Sequence, residues 1–266
     1  MRKTRILRSA GIFFLFLLFS IPAFTQLNKV PNLKLYDYDP LHFGFILAAN
    51  QMGFVVKTRE DIHQLYFKGA QLPQFDLGVS DVDSASVYGV EAIPHFGFTV
   101  GIVGDKRIGE YFNLRVIPSL AFGSRNLRFD TRLYKKTNNS KDTIIPRVLT
   151  QKVNSTFVEF PVYLKYKSKR LHNMRAYIYS GFKYTIDLAS QANKTEENNY
   201  EPKLFRTDSN YVIGAGLDFY MNWFKFGIET SMSYGMRDML LRENNLYTEG
   251  IESLKSKVFM LTLTFE

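Results

Sequence analysis

Eight stretches of this chain alternate apolar with polar or small residues, and the polar connections between them are long and short by turns. Alternation with a period of two marks a strand with one face in an apolar medium. From His42, the residues Phe43, Phe45, Leu47 and Ala49 share a face; from His95, Phe96, Phe98, Val100 and Ile102 do so against Gly97, Thr99 and Gly101. The third run sets Leu114, Val116, Pro118, Leu120 and Phe122 against Asn113, Arg115, Ser119, Gly123 and Arg125. The fourth sets Val158, Phe160, Val162, Leu164 and Tyr166 against Glu159, Tyr163 and Lys165. The fifth sets Ile178, Phe182, Tyr184 and Ile186 against Arg175, Tyr177, Tyr179, Lys183 and Asp187. Three more follow, around Tyr211–Met221 (with Asp218 on the polar face), Phe226–Met236 (with Lys225 and Glu229) and Phe259–Phe265.

The long connections are residues 57–94, 135–151, 190–209 and 237–254; the short ones are 104–107, 167–170 and 222–223. An even number of strands with this rhythm fits a closed barrel crossing an outer membrane, with long extracellular loops and short periplasmic turns. A soluble β-sandwich has no reason to keep the rhythm, or an apolar face on every strand. The expectation is an all-β fold: an eight-stranded antiparallel transmembrane β-barrel over 41–266, with a long extracellular loop at 57–94 and both termini in the periplasm. Pro118 and Pro161 fall inside runs, and each predicts a bulge or a missing ladder bond, because proline lacks the donor.

The N-terminus agrees with export. Arg2, Lys3, Arg5 and Arg8 precede an apolar run from Ala10 to Phe19, followed by Ser20, Pro22, Ala23 and Thr25. That is the layout of a cleaved signal peptide, 1–25, leaving 26–40 as a polar periplasmic lead-in. The chain has no cysteine, which removes disulfides, thiol catalysis and thiolate metal sites. Of the formal net charge of +9, four positive charges lie in that leader, and no basic stripe or recognition helix points to nucleic acid.

The polar faces carry Arg115, Arg125, Glu159, Lys165, Lys183, Asp187, Asp218, Lys225 and Glu229. Facing lipid, these charges are costly; turned inward, they pair into a buried lattice. An eight-stranded interior is just wide enough for side chains to fill, so no solute channel is expected. No metal or cofactor spacing occurs, and no catalytic residue is assigned. His63 with nearby Asp61 is the one arrangement that a rim active site could use. In the first long loop, Tyr66, Phe67 and Phe75 either pack over the barrel mouth or dock a partner. Arg107, Lys167, Lys169 and Arg170, in the short turns, are candidate contacts for periplasmic partners.

Leu41-His42-Phe43-Gly44-Phe45 with its continuation through Met52-Gly53-Phe54, then Pro161-Val162-Tyr163-Leu164-Lys165-Tyr166-Lys167 and Ile213-Gly214-Ala215-Gly216-Leu217-Asp218-Phe219, resemble the PorT/SprT family of Bacteroidetes barrels. The resemblance covers essentially the whole mature chain. The Leu164–Lys167 motif is widespread among small barrels of that group; the opening segment joined to a long first loop is the more specific part. Phe265 is similar to the aromatic end signal of outer-membrane proteins, with Glu266 following it. The resemblance implies a component of the type IX secretion system, needed for cargo export and in some species for gliding motility. It brings no catalytic residues. A filled lumen then implies an assembly or accessory role rather than the pore, with outer-membrane lipid and other secretion components as partners. The alternatives are a general small barrel for envelope integrity or adhesion and, third, an outer-membrane enzyme with a rim active site.

Overall fold

The computed structural model describes residues 31–72, 82–135, 143–190, 202–243 and 245–266, and Asn32–Glu266 forms one compact unit. The expected signal peptide and the start of the lead-in lie outside the described residues.

The strands are β1 (Leu41–Thr58), β2 (Tyr66–Lys68), β3 (Ser84–Arg107), β4 (Phe112–Val116), β5 (Ser119–Lys135), β6 (Thr143–Lys167), β7 (Met174–Asp187), β8 (Thr207–Tyr220), β9 (Lys225–Gly235) and β10 (Ile251–Phe265). All pairs are antiparallel. The wall runs β1, β10, β9, β8, β7, β6, then β4 and β5 end to end, then β3, which returns to β1. Phe45 faces Phe265 on one side of β1 and Ile102 on the other, so the sheet is closed.

Nine of the ten strands therefore occupy eight places in the wall. The third expected run is cut into β4 and β5 at Ile117-Pro118. Across this seam the ladder lapses between the pairs Val116↔Val162 and Ser119↔Glu159. Pro118 and Pro161 both lie in the gap, and a ladder cannot be completed where donors are missing. Pro161 leaves its own strand unbroken and accepts from Ile117 N at 3.3 Å. The tenth strand, β2, is a short addition along β3.

The strands also run further than expected. β3 takes in residues 84–94 of the supposed first loop and 104–107 of the supposed first turn, which moves to residues 108–111; β6 takes in 143–151 of the second loop. The eight strands share one chemical face over a limited band. There, Phe43, Phe96, Ile102, Ile178, Phe182 and Ile213 stand more than half exposed, and lipid-facing rings stack across strands, Phe45 on Phe265 and Phe98 on Phe122, each with centroids 4.9 Å apart. Tyr166, Phe224 and Trp223 ring the end that carries the lead-in and Glu266, and Tyr184, Tyr211 and Tyr234 ring the band's other limit, as interface girdles do. Ser180, on the outer face, donates its hydroxyl to Tyr211 at 2.9 Å. Crossing a membrane takes about 9–11 residues per strand; β6 has 25. Beyond the band, β2, β3, β5 and β6 continue as a projecting sheet.

Candidate functional site

Inward positions alternate with the lipid face, so the lumen is lined by every second residue of each wall strand. At the end carrying the lead-in and Glu266, Arg115 is its centre and is fully buried. Its Nε donates to Asp105 at 3.2 Å, and its two terminal nitrogens engage Glu229 and Glu266. Lys225 bonds the other oxygen of Glu266 at 2.6 Å. Lys165 bonds Asp218 at 3.0 Å and lies 3.5 Å from the centre of the Tyr177 ring, whose hydroxyl donates to Glu229 at 2.6 Å. Every charge here has a counter-charge, which a low-dielectric interior requires. The glycines opposite make room for the rings. A Cβ on Gly214 would lie 2.4 Å from Tyr179 Cζ, and one on Gly216 2.6 Å from Tyr177 Cζ.

Further along the lumen, Lys183 pairs with Glu159 at 2.6 Å. Arg125 lies between the Phe54 and Phe157 rings, 4.4 and 4.9 Å from their centres, donates to Ser155 at 2.8 Å and faces Asp187 at 3.7 Å. All nine charges assigned to the interior are thus buried, in three groups rather than one. Three acids with buried carboxylates lie outside that set, Asp105, Asp208 and Glu266. Asp105 falls in the expected 104–107 turn, and Glu266 follows the aromatic end signal. Both continue the inward series, Thr99-Gly101-Val103-Asp105 and Thr262-Thr264-Glu266, so the alternation carried the signal.

Past Arg125 the filling becomes apolar. Phe54, Leu127, Phe129, Leu133, Ile251 and Leu254 from the wall meet Ile62, Phe67 and Leu72 from the first loop and Leu246 and Tyr247 from the last. The last two sit on a one-turn helix, α1 (Leu246–Glu249), started by Asn245, whose side chain accepts from the backbone N–H of Tyr247 and Thr248.

The other opening is covered by the lead-in. A 3-10 turn at Tyr36–Tyr38 places Asp37 against Arg175, with two bonds of 2.7 and 2.9 Å, and under the Tyr220 hydroxyl at 3.0 Å. Burial pushes the Asp37 carboxyl up; Arg175 and Tyr220 pull it down further, and it ends below the ordinary carboxylate value. Tyr36 stacks on His42 at 3.9 Å.

The candidate partner contacts fare unequally. Tyr66 is exposed, its ring 5.6 Å from that of Tyr134. Phe67 is buried in the apolar core, so it packs the mouth and offers no docking surface; Phe75 lies outside the described residues. Lys167 is buried at the strand end and cannot serve as a surface contact. Arg170 is committed to the lead-in, bonding the carbonyls of Asn32, Leu33 and His172 and lying 3.7 Å from the centre of the Tyr220 ring. Arg107, at the end of β3, donates to the Gly109 carbonyl at 3.3 Å, and Lys169 is exposed. Asp61 is held by Arg59 at 2.7 Å, while the His63 ring lies against Tyr88, so the two do not form a base with its orienting acid. Among the described residues no cluster of three or more His, Asp or Glu side chains could hold a metal ion.

A family model described as an outer membrane protein beta-barrel domain matches residues 41–241, well over half of the chain. No curated protein matches. Among solved structures, the chain is similar to the outer membrane protein OprG of Pseudomonas aeruginosa, at 10% identity over 84% of this chain and 93% of that one, with a TM-score of 0.38. It is similar to Ail, the attachment invasion locus protein of Yersinia pestis, at 11% identity over 85% and 98%, TM-score 0.32. It is also similar to the outer membrane protease OmpT of Escherichia coli, at 10% over 85% and 96%, TM-score 0.31. Likenesses this distant carry no argument about activity.

Proposed function

We infer that this chain, which belongs to the outer membrane protein β-barrel domain family, is a non-enzymatic outer-membrane component of protein secretion, acting in assembly or as an accessory and not as the pore. The observation that supports this most is the occupied lumen. Ion pairs and tyrosines fill one half, an apolar core fills the other, and the lead-in covers the end that carries Glu266. A polypeptide in transit would have to displace all three. The assignment to type IX secretion rests on the resemblance of the segments at Leu41–Phe54, Pro161–Lys167 and Ile213–Phe219 to the PorT/SprT barrels. In this reading the short turns and both termini face the periplasm, and the projecting sheet faces outward.

The test is a deletion in the native host, compared with a complemented strain. Cargo proteins are expected to accumulate unprocessed in the periplasm while other barrels insert normally. Unchanged secretion would remove the secretion role and leave the barrel. Planar-bilayer recordings are expected to show no stable conductance, and a sizeable one would sink the non-pore role. The second reading, a general barrel for envelope integrity or adhesion, is favoured by the sheet of β2, β3, β5 and β6 standing beyond the lipid band. An envelope-sensitive or non-adherent deletion strain with normal secretion would select it.

A further inference from the structure

The projecting sheet has two edges, and they are treated differently. β3 parts from β1 beyond the pair Met52↔His95, and β2 covers the far end of the edge it frees, at Ser84–Ser86, with Tyr66 opposite Ser86. β6 parts from β7 beyond Phe157↔Asp187, while β5 stays with it as far as Lys135↔Thr143. Among the described residues no strand pairs with the freed side of β6.

Backbone parity says what that side presents. Leu188 N donates to Thr156 O at 2.8 Å on the β7 side, and Ile117 N donates to Pro161 O on the opposite side. Even-numbered residues of β6 therefore turn their N–H and C=O toward the freed side, and odd-numbered residues turn theirs toward β5. Ile144, Val148, Thr150 and Lys152 present both groups there. Pro146 presents only its carbonyl, and its missing N–H falls on the one side where no β5 ladder bond is lost. A groove of about 430 Å³ lies along this edge, lined among the described residues by Pro146–Gln151. Ile144 and Val148 are 54% and 52% exposed above it.

The charge around the edge is net positive, with Asp130 on β5 and Glu91 on β3, opposite Arg128, as its acids. Arg128, Arg132, Arg147 and Lys152 occupy the projecting parts of β5 and β6. Asp130 is held by Arg128 at 3.4 Å. A second copy would bring the same positive charge to the same edge. We propose that the free edge of β6, from Ile144 to Lys152, is a docking site for an extended, acidic segment of another protein, added to the sheet as a further strand. Main-chain bonds supply the affinity, and the surrounding cations select the acid residues. The proposal stands whether or not the barrel serves secretion.

The experiment uses the full mature chain in lipid nanodiscs and a fluorescent peptide of alternating glutamate and valine. Three controls accompany it: the lysine–valine peptide, the acidic peptide N-methylated at alternate residues, and the chain carrying Val148→Pro. Saturable binding of the acidic peptide alone is expected, weakened about tenfold by N-methylation and by Val148→Pro, since each removes main-chain donors. Arg147→Glu with Lys152→Glu is expected to move the preference to the lysine peptide. Absence of saturable binding overturns the proposal. So does undiminished binding of the N-methylated peptide, which requires no folding of a variant and would reduce the site to charge attraction. Disulfide-linked dimers formed through Thr150→Cys at the affinity of the peptide would make a second copy the occupant and also overturn it.

Discussion

The two halves of the lumen are filled by opposite chemistry although the same strands build both. In the half with the lead-in and Glu266, the outer face is apolar and the inner face holds Arg115, Lys165, Lys225 and their acids. In the far half, the inner face is Leu127, Phe129 and Leu133, and the outer face is Arg128, Asp130 and Arg132. On β5 the inward positions are odd-numbered throughout, so the geometry never changes; only the sign of the sorting does. The solvent explains the inversion. Where lipid surrounds the wall, apolar residues gain nothing by hiding, and the sorting comes from the cost of leaving charges and polar groups in hydrocarbon. Where water surrounds it, burial of apolar surface drives the sorting at about 25 cal/mol per Å². The inner half of the membrane band is thus held by specific pairs, and the projecting half by an ordinary core.

The largest way to break this comparison is Arg115→Met. It leaves Asp105, Glu229 and Glu266 facing one another with their shared cation gone, and a loss of about 3–5 kcal/mol is expected. Urea titration of the barrel in lipid vesicles, read by the shift of its unheated gel band, measures it; an unchanged midpoint would mean that the lattice holds nothing. Leu133→Ala opens a cavity in the apolar half at a cost of about 3 kcal/mol. This loss is expected to stay local, because the membrane band does not depend on that core. Proteolysis of the far-end loops should accelerate while the gel-band midpoint stays put. Joint loss of both would show the halves to be one cooperative unit.

The same inversion decided what the sequence could reveal. A search for one apolar face follows β5 from Leu120 and Phe122, then meets Asn126, Arg128 and Asp130 on that face and assigns no face to the stretch before the loop at 135–151. The inward Leu127, Phe129 and Leu133 were as regular as the outward residues before them, but with the roles exchanged. Residues 84–94 and 143–151 were lost to loops for this reason. Within the membrane band, all nine inward charges were legible from alternation alone. The clustering of these charges into three groups was not, since it depends on the tilt and stagger of the wall. The fate of Phe67 and Lys167 was also illegible, because polarity marks a loop without telling which of its residues turn inward.

At the end beside Glu266, the clamp on the lead-in should be smaller in energy and sensitive to acid. The Asp37 carboxyl lies below its ordinary value, with burial raising it and Arg175 and Tyr220 lowering it by more. A depressed carboxylate contributes stability that is complete above its unfolded value, near pH ~3.9, and is lost as pH falls through the folded value. The lead-in should therefore stay clamped at neutral pH and loosen below about pH 4. A dye on Lys34→Cys, followed by its accessibility to a quencher, reports the release. Asp37→Asn should loosen the clamp at neutral pH by about 1 kcal/mol, discounted for its partial exposure, and remove the acid step. An acid step that survives this substitution would place the titrating group elsewhere.

The smallest expected effect is the sharpest test, because it converts a piece of one half into the other. Lys183 and Glu159 bond at 2.6 Å, both nearly fully buried, at the level where the ionic lining gives way to the apolar one. Replacing one partner strands a charge. Replacing both, Lys183→Met with Glu159→Leu, removes the charge together with its desolvation penalty, and a net change within about 1 kcal/mol is expected. The pair would then contribute to the choice of structure more than to its stability, since an inner face as apolar as the outer one no longer tells the sheet which way to turn, and a one-residue slip loses its cost. The double variant should match the wild-type urea midpoint and yet fold in lower yield from urea into vesicles. Equal midpoint and equal yield would make the ionic lining a tolerated alternative to an apolar one. A midpoint lowered as far as by Glu159→Leu alone would make the bond itself a structural requirement of the lipid-enclosed half.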